Sequence, residues 1–280
     1  MTPKDEYPEE SVQARLSVML ELFTYLKSYR DHIVLIGGWV PFFLTRDQAE
    51  APHIGSLDID LALDSNRIPE TAYATILERL EERAYRPSHN RRGEIIPARY
   101  ERIISLADGR PFHVRVDFLA PEYGGAKSGQ RHQRVQDLLA HKARGCDLVF
   151  EHFVEIEIDG QLPNGADHRE KIKIADAAAC FVMKAFAFDG RNSEKDAYDL
   201  FMLTDSLGAQ AIVEQILPLK SNKLMSEALS IIRERFGTPR ALGPTSVADF
   251  LKATGDDSER IKRRAFELFQ LIVSQIGEGK

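Results

Sequence analysis

Cysteine is scarce in this chain: there are two in 280 residues, Cys146 and Cys180. They lack the paired spacing of a zinc ligand set, so neither a disulfide framework nor a thiolate metal site is expected, and both read as ordinary thiols. The single tryptophan, Trp39, reads as a packing residue at a helix start. No run of 18 apolar residues occurs, so no membrane-spanning helix and no membrane partner are expected. Met1 to Glu6 show no charged-then-apolar leader pattern, which gives the expectation of a cytoplasmic protein. There is no Gly-x-x-x-x-Gly-Lys sequence, which argues against P-loop chemistry. His32, His53, His113 and the other histidines have no metal-ligand spacing.

What is present is an ordinary globular composition, 43% hydrophobic and 29% charged, enough for one large or two smaller domains. The net charge is −6, but it is uneven. Residues 79–115 hold nine arginines against five acids, and residues 127–144 hold five Lys/Arg and two His against one acid. Such a basic middle either forms a field for a nucleotide or RNA, or is a solvated face of ion pairs.

Apolar spacing predicts a helix over residues 11–30 and a buried strand, His32 to Ile36, that ends at Gly37-Gly38. Trp39 to Thr45 reads as a short helix, and a loop with Pro52 and Gly55 leads to the strand around Asp58. A helix over 69–84, opened by Pro69 and including Ala72, comes next. Strands near 98–106 and 112–119 are joined by Asp108-Gly109, which is hairpin chemistry. Gly124, Gly125, Lys127, Ser128 and Gly129 read as a flexible link, followed by β-rich stretches at 148–158 and 171–174. From Asp176 the chain reads as helical, at about 176–189, 194–207, 209–217, 221–235 and 256–276. The expected domains are 1–170 and 171–280.

The candidate chemistry lies in Ser56-Leu57-Asp58-Ile59-Asp60-Leu61. Alternation on a strand puts Asp58 and Asp60 on one face, about 7 Å apart, with apolar neighbours on the other. Two carboxylates so close are costly unless a cation joins them, and hard oxygen ligands suit Mg2+. Asp117 is a third acid on a strand whose other face, Val114, Val116 and Phe118, looks buried. It reads as a third ligand or general base, or else as the partner of Arg115 or Arg102. Gly37, Gly38 and Ser56 are candidate phosphate binders, since glycine allows close backbone approach. Lys184 falls on the apolar stripe of its helix, where a lysine snorkels, meets a buried partner or reaches a triphosphate. Asp196 and Asp199 either pair with it or position an acceptor, and a Lys195–Asp199 surface pair with a solvated Asp196 is the plainer alternative.

These residues resemble a known group. Gly37-Gly38, Asp58-x-Asp60 and Asp117 look like the DNA-polymerase-β-type nucleotidyltransferase superfamily, although the 19 residues between Gly38 and Asp58 are more than its pattern has. Lys184, Arg191 and Lys195-Asp196-Ala-Tyr198-Asp199-Leu200 are similar to the distal pattern of AbiEii-like (AbiEii/AbiGii toxin) nucleotidyltransferases, as is the Ser56-x-Asp58-x-Asp60 form. The resemblance covers roughly 30–205. It implies an α+β protein: a nucleotidyltransferase fold of mixed β-sheet with flanking helices, then a mostly helical C-terminal domain, with the site in the cleft between them. It further implies an Mg2+-dependent enzyme moving a nucleoside monophosphate from NTP to an acceptor hydroxyl, in a toxin–antitoxin or phage-defence system. Asp58, Asp60 and Asp117 would hold metal, Lys184 and Asp196 would join them in catalysis, and Lys184 and Arg191 would bind nucleotide. RNA (tRNA) or protein would be the acceptor and an antitoxin a partner. The alternatives are a small-molecule (antibiotic-type) nucleotidyltransferase and a non-catalytic nucleotide-binding module. Arginines 83, 86, 91, 92, 99, 102 and 110 outnumber the acids of residues 79–115, so several are expected to line an RNA-binding rim beside residues 127–144.

Overall fold

The computed structural model describes residues 7–48, 53–68, 74–122 and 131–277. Pro52, Pro69, Ala72 and the Gly124–Gly129 link lie outside the described residues. In chain order the elements are α1 (Glu9–Tyr25), β1 (Ile33–Ile36), α2 (Trp39–Thr45), β2 (Asp58–Leu63), α3 (Ile76–Glu82), β3 (Arg86–His89), β4 (Ile95–Ser105) and β5 (Pro111–Pro121). There follow β6 (His132–Val135), β7 (Leu138–Ala143), β8 (Phe153–Gln161), β9 (Asp167–Ala175), α4 (Ala177–Arg191), α5 (Glu194–Leu207), α6 (Ala209–Ile216), α7 (Lys223–Arg235), α8 (Leu242–Phe250) and α9 (Gly255–Gly277). The architecture is α+β, a mixed sheet with flanking helices followed by a helical region. No described helix is long and apolar enough to cross a membrane.

Two compact units divide the chain. One, the sheet unit, holds Tyr7–Trp39 and Ser56–Asp176; the helical unit takes Ala177 onward together with Val40–Gly55. A division in sequence order at 170 therefore misses an early segment that packs with late helices.

In the sheet unit the strand order is β3-β4-β5-β2-β1-β9-β8, with β7 pairing β5 and β6 pairing β7. β2 lies antiparallel to β1 and parallel to β5. Ile59 and Leu61 on β2 and Val114, Val116 and Phe118 on β5 are all fully buried, which turns the alternate residues to the opposite face. Helix α1 buries Val18, Met19 and Leu22. Its Glu21 accepts from Arg102 Nε on β4 at 3.0 Å and from the Tyr85 hydroxyl at 3.1 Å, tying the helix to the sheet.

Local chemistry explains where the structure departs from the sequence reading. α3 starts at Ile76 because Thr75 and Glu78 form a reciprocal capping box. β3 contains Pro87, which is tolerated because the strand lies at the sheet edge and its pairing is irregular there. The β6–β7 hairpin turns through Gln136 at φ +55°, without the glycine that marks such turns. In the helical unit α8 was not among the helices expected from the sequence. Proline is tolerated in a first helical turn, and Gly243 sits against the Phe236 ring: a Cβ there would meet ring carbons at 2.6 Å. Phe236 in turn stacks on Phe269 at 4.1 Å and Phe188 at 5.8 Å in the core of this unit.

These packing differences give a paired prediction. Gly243→Ala should lower stability by about 1–3 kcal/mol through overpacking. Gly190 in α4 has nothing within 4 Å of its Cβ position, so Gly190→Ala should raise stability by roughly 0.5–1 kcal/mol. Denaturant unfolding of the two variants checks both signs.

Candidate functional site

Register builds an acidic face on the sheet unit. Asp60 on β2 lies directly opposite Asp117 on the parallel strand β5, and Asp58 lies opposite Arg115. On the other side of β5, Arg99 of β4 lies opposite Asp117 and Glu101 opposite Arg115. Asp58, Asp60 and Asp117 thus share one face, and arginines occupy the gaps among them. Arg99 donates through Nε to Asp117 Oδ1 at 2.7 Å and through Nη2 to Oδ2 at 2.6 Å, while the same Nη2 reaches Asp58 Oδ2 at 3.4 Å. Arg115 Nε lies 2.6 Å from Asp58 Oδ1. In this arrangement no three acidic, histidine or cysteine side chains among the described residues are gathered to hold a metal ion.

The chain leading into β2 is pinned from both sides. Trp39 Nε1 donates to the Asp58 carbonyl at 3.1 Å, and buried Arg15 of α1 donates to the Leu57 carbonyl at 2.9 Å. Gly37, at φ +76°, stands against the Asp60 carboxylate: a Cβ at 37 would lie 2.0 Å from Asp60 Oδ2. Only glycine suits that position, on conformation and on space alike. Gly38 is buried beside it, and Ser56 is half-buried just before β2. Burial pushes the Asp58 carboxyl above its ordinary range, and Asp117 adds to this, against the opposing pull of Arg115 and Arg99. For Arg99 the Asp117 hydrogen bonds outweigh burial and raise the guanidinium further. His141 on β7, opposite Leu119, faces His132 across the strands with ring centroids 4.5 Å apart. Burial, then the neighbouring His132, lowers His141.

A second polar cluster lies within the helical unit. Lys184 of α4 is buried and donates to Asp196 Oδ1 at 3.0 Å, and its Nζ lies 2.6 Å from Asp199 Oδ2. Arg191 clasps Asp196 with two bonds, at 2.6 and 2.8 Å, and Lys195 pairs with Asp199. His53 completes the set. Its Nδ1 accepts from the Gly55 N–H at 3.0 Å, which leaves the proton on Nε2, 2.8 Å from Asp199 Oδ1. Burial alone would lower the Lys184 ammonium, but Asp199 and Asp196 more than offset it and hold it above its ordinary value. Burial likewise works to raise Asp199, and Lys184 and Lys195 overturn that and hold it well below the carboxylate range. Burial, reinforced by Lys195, pushes His53 down to about 4.

The residues expected from sequence therefore fall into two groups: Gly37, Gly38, Ser56, Asp58, Asp60 and Asp117 in the sheet unit, and Lys184, Arg191 and Asp196 in the helical unit. Lys184 has buried partners, and Asp196 is fully buried rather than solvated. The Lys195–Asp199 pair is buried rather than at the surface. Asp117 is partnered by Arg99, not by Arg115 or Arg102. The observed register is centred on Asp108 itself, so a count outward from a two-residue Asp108-Gly109 turn puts Tyr100 opposite Asp117, one residue from the actual partner Arg99. His53 gave no signal, being 146 residues from Asp199. Of the arginines expected to form a rim, Arg83, Arg86, Arg91, Arg92 and Arg110 are exposed, and several of the seven make contacts within the sheet unit. Arg83 stacks over Tyr25, Arg86 caps carbonyls, Arg102 binds Glu21 and Arg110 pairs with Asp108. Two of these partners, Tyr25 and Glu21, lie outside residues 79–115.

No protein-family model matches the chain, and no curated protein matches it. Among solved structures it is similar to an antigenic nucleotidyltransferase-like protein from Paracoccidioides brasiliensis, with 14% identity, a TM-score of 0.46, and coverage of 88% of this chain and 94% of that one.

Two predictions concern the buried cluster. Lys184→Met leaves Asp196 and Asp199 short of a cation, and should cost about 3–5 kcal/mol of stability, read from the shift in urea midpoint. A histidine held below its ordinary 6.5 favours the folded state above pH 6.5 and loses that advantage as pH falls toward about 4. The loss amounts to about 3 kcal/mol. His53→Gln keeps the donor to Asp199 without titrating, so its thermal midpoint should fall less than the wild type's across that window. Equal slopes would remove His53 as the cause.

Proposed function

We propose that this chain is a nucleotidyltransferase that moves a nucleoside monophosphate from an NTP to an acceptor hydroxyl, with Mg2+ held by Asp58, Asp60 and Asp117. The observation that carries the reading is the register of β2 against β5, which sets Asp60 opposite Asp117 with Asp58 two residues along on the same face. Two further features support the ion. The carboxylates are hard oxygen donors that already draw in cationic side chains, and Gly37 leaves Asp60 a berth that a Cβ would fill. Bound there, a divalent cation supplies charge neutralisation for the triphosphate and acidifies the acceptor hydroxyl.

The chain's own residues do the rest. The Gly37-Gly38 backbone admits phosphate oxygens closely, and Ser56 offers a hydroxyl donor just before Asp58. The acceptor oxygen bonds to the α-phosphorus as the bond to pyrophosphate breaks, and its proton passes to a carboxylate, which we assign to Asp117. In the helical unit Asp196 holds the fork of Arg191, the cluster's most exposed cation at 64% side-chain exposure, and a nucleotide-binding role for Arg191 is supported by the sequence resemblance alone. Lys184 neutralises the carboxylates beneath it and so acts as a positioning residue. A toxin role, an RNA (tRNA) or protein acceptor and an antitoxin partner are supported by the sequence resemblance alone.

Purified protein incubated with each labelled NTP, Mg2+ and total RNA should transfer label. Asp58→Asn, which keeps shape but removes a ligand charge, should reduce transfer at least about 100-fold with an unchanged melting profile. Near-normal Mg2+-dependent transfer by that variant would overturn the assignment.

A further inference from the structure

The two arginines on the acidic face do not look like structural cement. In the Lys184 cluster the side chains of Asp196 and Asp199 are fully sealed. On the sheet face the side chains of Arg99, Asp58 and Asp117 keep 25%, 23% and 13% exposure. The bidentate pair of Arg99 with Asp117 is the firmer contact, whereas the single 3.4 Å reach of Arg99 to Asp58 is of the solvent-reaching kind that contributes little to stability. Arg99 also bridges carboxylates from two different strands, which is the task of a metal ion on this face. It is the first β4 residue paired to β5, and Ala98 before it sits at φ +64°, a left-handed conformation that alanine rarely adopts.

We propose that Arg99, supported by Arg115, is a displaceable latch: its guanidinium stands in for the divalent cation on Asp58 and Asp117, and the ion binds only by expelling it. The inference rests on the metal-dependent reading of this face. An expelled guanidinium stays at the mouth of the site, where its planar fork matches phosphate oxygens. A triphosphate therefore gives Arg99 a new partner as the cation takes the old one. Metal and nucleotide should each strengthen the other's binding, because the coupling is reciprocal. Metal without nucleotide meets a closed site.

Calorimetric titration of the full chain with Mn2+, alone and with a non-hydrolysable NTP analogue, tests this without any turnover. Wild type should bind Mn2+ weakly alone and about tenfold more tightly with the analogue. Arg99→Gln should bind Mn2+ alone about tenfold more tightly than wild type and lose most of the coupling. Arg99→Lys, which keeps the charge without the fork, should fall between them and serves if the glutamine variant does not fold. Unchanged or weaker Mn2+ binding by the Arg99 variants overturns the latch. The double variant Asp58→Asn/Asp117→Asn separates the two ideas. If it loses Mn2+ binding while the Arg99 variants match wild type, the latch alone falls. If it binds Mn2+ as wild type does, the carboxylates are not the ligands, and the latch and the proposed function fall together.

Discussion

Like charges cannot be set side by side on a half-buried sheet face without compensation, and the sheet unit is arranged around that constraint. Asp58, Asp60 and Asp117 are brought together by backbone register, which is indifferent to side-chain charge. Arg99 and Arg115 arrive by the same register from β4 and β5. Other features follow from holding these groups still. Trp39 and Arg15 fix the carbonyls at the start of β2, Gly37 yields space to Asp60, and the Glu21–Arg102–Tyr85 network ties α1 to the sheet.

The helical unit solves a related problem differently. Its carboxylates are sealed, and each is answered by more than one cation: Lys184 and Arg191 on Asp196, Lys184 and Lys195 on Asp199. Taking ions out of water costs several kcal/mol each unless the geometry is complete. A neutral histidine is the fitting sixth member, because it donates to Asp199 without adding charge to a cluster already rich in cations. The sealed cluster specifies one arrangement of α4 and α5; the open one on the sheet leaves room for exchange.

The sequence made the acidic face legible because alternation on β2 and β5 is a local property. Ile59, Leu61, Val116 and Phe118 declare the buried side, and the three acids must then share the other. The turn at Asp108-Gly109 declared that β4 pairs with β5, but not the register, which is one residue off a two-residue turn and sets Arg99 opposite Asp117. What was not legible depends on long-range placement. Nothing near His53 announces Asp199, nothing near Arg102 announces Glu21, and a Gly-Pro pair cannot declare α8 without knowledge that Phe236 lies beneath it. Edge strand β3 and the β6–β7 hairpin were hidden for another reason: their turn and pairing residues, Pro87 and Gln136, are not the usual ones.

The discontinuity of the helical unit has a consequence for synthesis. Val40–Gly55 belongs with helices that begin at Ala177, and His53 finds its partner 146 residues downstream. At ribosomal rates of about 5–20 residues per second, that partner is made roughly 7–30 s after the histidine. During the interval the early segment leaves the ribosome between β1, which itself still awaits β9, and β2, with an imidazole destined for burial still in water. A nascent chain of this kind carries an unfilled obligation across about half of its translation.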